Sequence, residues 1–201
     1  MRFWSTIAHH RQPSITWSAL PQTLMRTVEG SGNVRDIALI TLLLHTGLRV
    51  GELCTLTWRD VQIAESHSTM SVQGTKDPRR GGRITLPRTL PLNTPVRKAL
   101  CALGYGQYGG TATQIFVGQR GPMTPRGVEI VLEKYAKLAG LKGITPDTLR
   151  HTFCKNLVDV GADVTSVAAL AGHPTLDAAR LYFVWPPQGL DRLVELLRPK
   201  A

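Results

Sequence analysis

The sequence has few of the features that mark secreted, membrane-spanning or metal-binding proteins. Cysteine occurs only 3 times in 201 residues, without a paired or zinc-binding spacing, so neither a disulfide framework nor a metal site is predicted. No apolar run reaches the roughly eighteen residues that a membrane-spanning helix needs. Residues 1–11 also lack the apolar segment of a signal peptide. These absences favour a reducing, cytoplasmic location and no membrane partner.

Acidic residues are scarce as well. Asp and Glu number 14 against 24 Lys and Arg, which gives a formal net charge of +10. An excess of this size favours a polyanionic partner, although an ordinary basic surface fits the composition equally well. The distribution favours nucleic acid, because between positions 76 and 98 seven basic residues face the single acidic Asp77. The seven are Lys76, Arg79, Arg80, Arg83, Arg88, Arg97 and Lys98. Such a stretch predicts a surface that faces phosphates.

Hydrophobic periodicity predicts an α+β fold, mostly α-helical with a small antiparallel β-hairpin. The alternation over residues 70–74 indicates a strand that pairs with 83–86, and the basic segment 75–82 is then the hairpin loop. We expect residues 1–13 to be a tail or linker remnant and residues 14–201 to form one domain. Helices are predicted at 14–28, 34–45, 49–56, 95–103 and 190–197, and after Thr124, Thr145, Asp163 and Thr175.

Four short motifs follow one another along the chain. Residues 46–53 read Thr-Gly-Leu-Arg-Val-Gly-Glu-Leu, and Thr-Lys follows at 75–76. Residues 147–153 read Asp-Thr-Leu-Arg-His-Thr-Phe, and Leu-Ala-Gly-His at 170–173 precedes Tyr182 by nine residues. Each motif is weak by itself, but their order and spacing resemble the tyrosine recombinase (phage integrase) family over roughly residues 15–198. The resemblance implies the catalytic-domain fold of these DNA breaking and rejoining enzymes, with no metal and no nucleotide cofactor.

The resemblance also implies a role for each of four side chains. Attack on a phosphodiester builds negative charge on its non-bridging oxygens, and two guanidinium groups can hold these by paired hydrogen bonds. Arg49 and Arg150 are the candidates, Tyr182 is the nucleophile that forms a 3′-phosphotyrosyl link and frees a 5′-hydroxyl, and His173 hydrogen-bonds the phosphate. The alternatives are ordinary ones: exposed helix arginines, a core tyrosine, and a histidine at a helix C-terminus.

The same resemblance also bears on six further residues. Lys76 is implied as the general acid that protonates the leaving 5′-oxygen, but with Arg79, Arg80 and Arg83 it is equally placed to contact DNA phosphates. His151 is implied as a structural hydrogen-bonding residue. Glu52 either holds the first arginine or is a solvated helix glutamate.

The sequence departs from the family pattern at two places. Asp147 stands where histidine is usual, three residues before Arg150. It is either a base or arginine-orienting residue, or a carboxylate favoured by the helix N-terminus. The helical core-binding domain that usually precedes the catalytic domain is expected to be absent. Family members act as tetramers on double-stranded DNA, and we expect the helix at 190–197 to dock on a neighbouring protomer or, alternatively, on its own domain.

Two other functions remain open at this point. A catalytically impaired recombinase fragment would bind DNA without cutting it, and the substitution at Asp147 favours that interpretation. An enzyme similar to type IB topoisomerases would use similar residues to relax supercoiled DNA.

Overall fold

A thirteen-residue helix, Val34–Thr46, lies at the centre of the fold because its apolar side chains are buried from Ala38 onward. Every residue from Ala38 to Leu44 is buried, as predicted for this segment. Asn33 caps its N-terminus by accepting from the Asp36 amide, and Gly47 ends it in the left-handed conformation at φ 61°. The chain can therefore turn sharply at Gly47 and begin the next helix within three residues.

The computed structural model describes residues 20–65, 67–73, 76–77, 83–84 and 87–183, with the backbone alone at 76–77 and 83–84. The helices are α1 Leu20–Glu29, α2 Val34–Thr46, α3 Val50–Thr55, α4 Thr94–Leu103, α5 Tyr105–Tyr108, α6 Pro125–Leu138, α7 Pro146–Asp159, α8 Val164–Ala171 and α9 Leu176–Arg180. The strands are β1 Val61–Gln62, β2 Thr69–Val72, β3 Lys76–Asp77, β4 Arg83–Ile84, β5 Arg88–Pro91, β6 Val117–Gly118 and β7 Gly121–Pro122. Short 3-10 turns form at Trp58–Asp60 and Leu181–Phe183.

Polar caps set the starts of the last helices, as the sequence predicted. The side chains of Thr124, Thr145 and Asp163 accept from backbone amides in the first turns of α6, α7 and α8. The helix predicted after Thr175 is α9, which leads directly into the 3-10 turn that carries Tyr182. The short helix α5 was not predicted, and the helix predicted at 190–197 and the tail at 1–13 lie outside the described residues.

The strand pairing differs from the prediction. Strand β2 pairs with β5 and with β1 in an antiparallel sheet of order β1-β2-β5, whereas β4 pairs with β3. Pairing of the 70–74 strand with 83–86 was therefore wrong, and Lys76 begins a strand instead of lying in the hairpin loop. The register explains the choice, because it places Leu90 opposite Met70 and buries both side chains.

The buried apolar residues form two clusters. The larger one joins α1, α2, α4, α6 and the three-stranded sheet. The smaller one lies between α7, α8 and α9, and its buried members are Phe153, Cys154, Val167, Ala168, Ala171 and Ala179. Tyr182 packs against this smaller cluster, so its position depends on how α7, α8 and α9 meet. No helix within the described ranges is long and apolar enough to cross a membrane.

Candidate active site

Helix α7 meets the turn between α2 and α3 at Gly47. The buried Arg150 side chain donates from Nη1 to the Gly47 carbonyl at 2.5 Å. A side chain on residue 47 would obstruct this approach, because a Cβ atom there would lie 2.3 Å from Cδ1 of Phe153. Glycine at this position therefore lets α7 come close enough to bring Arg150 beside Arg49, which caps the start of α3.

Two guanidinium N–H groups in this region lack an acceptor. Among the described residues, Arg49 Nε and Arg150 Nη2 are buried and have no hydrogen-bond partner. Burial, followed by the positive charge of Arg49, lowers the pKa of Arg150 to about 10, so it remains a cation near neutral pH. Buried donors are normally paired, and an oxyanion would supply acceptors to both arginines.

Glu52 interacts with both arginines. It is only 1% exposed, so it is not a solvated helix glutamate. Its carboxylate accepts the Arg49 backbone amide at 2.9 Å and two hydrogen bonds of 2.8 Å from the Arg88 guanidinium. Burial alone would raise the pKa of Glu52, but the hydrogen bonds and charge of Arg88, with the Arg49 amide and Arg150, lower it below its usual value.

Arg88 has a different place from the one that the sequence predicted. It was grouped with the phosphate-facing residues, yet its side chain is 8% exposed and paired with Glu52. Its Nε also donates to the Leu170 carbonyl at 3.0 Å, which ties strand β5 to the end of α8. A Cβ atom on Gly172 would lie 2.5 Å from Arg88 Nη1. The sequence offered no signal that Arg88, one of seven basic residues between positions 76 and 98, is buried.

His173 follows Gly172, which ends α8 at φ 67°. Its backbone amide donates to the Ala168 carbonyl at 2.9 Å, and its Nε2 lies 4.0 Å from Cys154 Sγ. Burial, followed by the charges of Arg150 and Arg49, lowers the pKa of His173 to about 3. The imidazole is therefore neutral near neutral pH and carries one N–H donor.

Tyr182 is half-buried at the edge of the smaller apolar cluster. Its Oη lies 2.6 Å from Nδ1 of His151, and its ring centroid is 6.0 Å from that of His173. Burial raises the pKa of Tyr182 above its usual value, Cys154 and Asp147 raise it further, and Arg150 opposes the shift. The phenol is consequently protonated at neutral pH, so ionisation requires a group that removes the proton.

The structure thus brings Arg49, Arg150, His173 and Tyr182 into one electrostatically coupled group, with His151 at the tyrosine oxygen. The contact of His151 was not predicted, since the sequence indicated only a structural hydrogen bond for it. Asp147 is exposed in the first turn of α7 and contributes to the electrostatics of Tyr182.

The remaining candidate residues are only partly covered. The backbones of Lys76 and Arg83 lie in the paired strands β3 and β4, with Lys76 opposite Ile84, whereas Arg79 and Arg80 lie outside the described residues. No group of three or more His, Cys, Asp and Glu side chains within the described part of the chain is arranged to hold a metal ion.

Comparison with known proteins gives matches over most of the chain. The model of the phage integrase family matches residues 19–184. The tyrosine recombinase XerC of Roseiflexus sp. (strain RS-1) is 34% identical over 157 residues, which are 74% of this chain and 47% of that protein. XerC of Pelobacter propionicus is 32% identical over 181 residues, or 87% of this chain and 56% of that protein. The chain therefore spans about half the length of these relatives.

Solved structures show the same similarity in three dimensions. The crystal structure of the XerA recombinase matches with a TM-score of 0.70 and 25% identity, over 90% of this chain and 64% of that one. The Tn1549 transposon integrase in complex with circular intermediate DNA matches with a TM-score of 0.70 and 26% identity, over 90% of this chain and 66% of that one. The chain therefore belongs to the phage integrase family, the tyrosine recombinases, and corresponds to their catalytic domain.

Proposed function

We propose that this chain cuts and rejoins DNA strands as the catalytic domain of a site-specific recombinase, through a covalent bond between Tyr182 and a 3′-phosphate. The observation that supports this most directly is the pair of buried, unpartnered N–H groups on Arg49 and Arg150, in the same group as Tyr182. In this proposal residues 14–201 form the catalytic domain, and residues 1–13 are a linker.

The two arginines would bind the non-bridging oxygens of the scissile phosphate. Arg150 is held in place by the Gly47 carbonyl, and Arg49 by the Glu52 contact to its backbone amide. Donors that are fixed before the substrate binds stabilise developing negative charge without reorganising, which is how preorganised sites accelerate reactions. The depressed pKa of Arg150 fits this role, since a bound phosphate would offset the cost of burying the cation.

Proton transfers in the reaction would use groups on both sides of the phosphate. His173, neutral because its pKa is low, would donate a hydrogen bond to a phosphate oxygen. Lys76 in strand β3 would protonate the leaving 5′-oxygen, and Arg79, Arg80 and Arg83 would contact neighbouring phosphates. The phosphotyrosyl bond retains the energy of the broken linkage, so rejoining by a 5′-hydroxyl would need no ATP and no other cofactor.

The partner in this proposal is double-stranded DNA. A basic chain of net charge +10 is suited to it, and the matched structure of the Tn1549 integrase is a complex with circular intermediate DNA. The active assembly would be a homotetramer on paired sites, joined through the helix predicted at 190–197, in the cytoplasm with the nucleoid.

Trapping of a covalent adduct tests this function. The substrate is a library of duplexes with randomised sequence and a nick at one fixed position. A duplex that is cleaved just before its nick loses a short 5′-hydroxyl fragment and so cannot be resealed. We expect an adduct that survives SDS with the full chain and disappears in Tyr182→Phe. Tyr108→Phe is the matched control, because Tyr108 is exposed and stacks on Trp58, a contact that phenylalanine keeps.

The outcomes separate the candidate functions. Sequencing of the trapped DNA would reveal the preferred site. DNA binding without any adduct would contradict the proposal and favour a binding protein without catalysis. An adduct without sequence preference, accompanied by relaxation of supercoiled plasmid, would instead indicate an enzyme similar to type IB topoisomerases.

A further inference from the structure

We propose that His151 is the base that removes the proton from Tyr182, and that Asp147, one helical turn earlier, supports His151 in this role. The inference rests on the proposed function, because it assigns a step in the reaction of Tyr182. In this proposal Asp147, at the position where the family usually has histidine, acts on Tyr182 indirectly, through His151.

The first argument is the contact at the reacting atom. Nδ1 of His151 lies 2.6 Å from Oη of Tyr182, within the range of a strong hydrogen bond. The centroids of the imidazole and phenol rings are 5.6 Å apart and the ring planes are tilted by 46°, so the two ring faces are not stacked and the contact joins nitrogen to oxygen. In the tautomer with its proton on Nε2, the imidazole accepts from the tyrosine hydroxyl and is poised to take its proton.

The second argument is the spacing of Asp147 and His151 on α7. Residues four apart lie on one face of a helix, and both of these side chains are exposed on the first two turns. Arg150 between them is buried and reaches Gly47. Asp147 and His151 therefore lie on the exposed side of the helix, and Arg150 lies on its buried side. A carboxylate one helical turn away stabilises an imidazolium ion through its negative charge.

The third argument is that the other groups around Tyr182 are poor bases. Burial, followed by the charges of Arg150 and Arg49, keeps the pKa of His173 low, so this imidazole is a poor proton acceptor near neutral pH. Burial raises the pKa of the Cys154 thiol, so the thiolate form is disfavoured. Of the described side chains in this group, His151 is the one whose ring nitrogen contacts Oη and that has a carboxylate, Asp147, one helical turn away.

The step balances without another reactant. The proton of Tyr182 Oη moves to Nδ1 of His151 as Oη bonds to phosphorus, and the bond from phosphorus to the 5′-oxygen breaks. The leaving oxygen takes a proton from the general acid, for which Lys76 is our candidate. On rejoining, the 5′-hydroxyl attacks the phosphotyrosyl group and returns its proton to the general acid. The bond from phosphorus to Oη breaks, and Tyr182 recovers its proton from His151.

Single-turnover cleavage of the nicked duplex identified by adduct trapping tests the relay as a function of pH. We expect His151→Gln to lower the cleavage rate on the order of 10²-fold or more, as for loss of a general base. Asp147→Asn should lower it less and shift the acidic limb of the profile to lower pH, because the imidazolium loses its carboxylate. The matched controls are His67→Gln and Asp159→Asn, which change exposed residues outside the group and should leave the profile unchanged.

Two further measurements distinguish a base from a structural residue. Added imidazole should restore cleavage to His151→Gly, since a diffusible base can fill the space of the side chain. A substrate with sulfur in place of the scissile 5′-oxygen needs no proton on its leaving group, so it should rescue loss of the acid, as in Lys76→Ala, but not His151→Gln. Rescue of His151→Gln by this substrate would overturn the assignment.

The relay and the proposed function fail in different ways. If the unmodified chain forms no adduct, the proposed function is contradicted. If the unmodified chain cleaves and His151→Gln keeps its rate and pH profile, the relay alone is wrong. Loss of cleavage in His151→Gly with unchanged thermal melting and no imidazole rescue would likewise reject His151 as the base.

Discussion

At the scale of single residues, the least expected feature is the buried ion pair of Glu52 and Arg88. The sequence placed the glutamate near the first arginine and the arginine on a phosphate-facing surface, whereas the structure pairs the two through both carboxylate oxygens. Arg88 also holds the carbonyl of Leu170, three residues before His173. The pair therefore links the segment of Arg49 to that of His173. It positions these two residues without being catalytic itself.

Glu52→Gln tests the strength of this link. The change leaves the Arg88 cation buried without its counter-ion, so we expect the free energy of unfolding to fall by about 3–5 kcal/mol. Urea denaturation measures the difference. The matched control is Glu129→Gln, which removes the exposed pair with Arg126 and should cost less than about 1 kcal/mol. Equal losses in the two variants would show that the buried pair contributes nothing particular to stability.

At the scale of helices and strands, sequence reasoning succeeded where the signal is local. A capping side chain or a glycine at a helix end acts within one turn, so the bounds of α2 and the starts of α6, α7 and α8 were close to the prediction. The predicted partner of strand β2 was wrong because the pairing depends on which distant segment buries an apolar face together with β2. Leu90 does so, and no local signal distinguishes β5 from the nearer segment 83–84.

Gly47→Ala tests an element boundary that also shapes the site. Any side chain at φ 61° costs about 1–2 kcal/mol, and here it would also displace the Phe153 ring, adding on the order of 1–3 kcal/mol. Gly32→Ala is the control, because Gly32 has a similar φ of 65° but no atom within 4 Å of the added carbon. We expect urea denaturation to show a larger loss of stability at Gly47. A difference below about 0.5 kcal/mol would mean that the contact between Gly47 and Phe153 does not limit how closely α7 approaches.

At the scale of the whole molecule, the order of the motifs predicted the family and the main members of the site. Arg49 is far in sequence from Arg150, His173 and Tyr182, and only the resemblance to a known family allowed the four to be grouped in advance. The contact between His151 and Tyr182 was beyond such reasoning. It depends on the rotation of α7 relative to the turn that follows α9, which no spacing in the sequence specifies.

The net charge of the molecule leads to a prediction about DNA affinity and its dependence on salt. Each phosphate that the protein neutralises changes the slope of log affinity against log salt concentration by about 0.9. If Arg79 and Arg80 each contact a phosphate, replacing both with glutamine should reduce the magnitude of the slope by about 2.

The control for this measurement is the replacement of Arg59 and Arg120 with glutamine, which changes the net charge by the same amount. Both residues are exposed. Arg120 lies in the hairpin of β6 and β7. This hairpin contacts the start of α2, where the Val117 carbonyl accepts a hydrogen bond from Arg35. Gly47 and the candidate active site lie at the other end of that helix. Binding isotherms on one short duplex at several salt concentrations give both slopes. If the two pairs reduce the slope equally, the basic segment acts only through the overall charge, and the assignment of Arg79 and Arg80 to phosphate contacts is wrong.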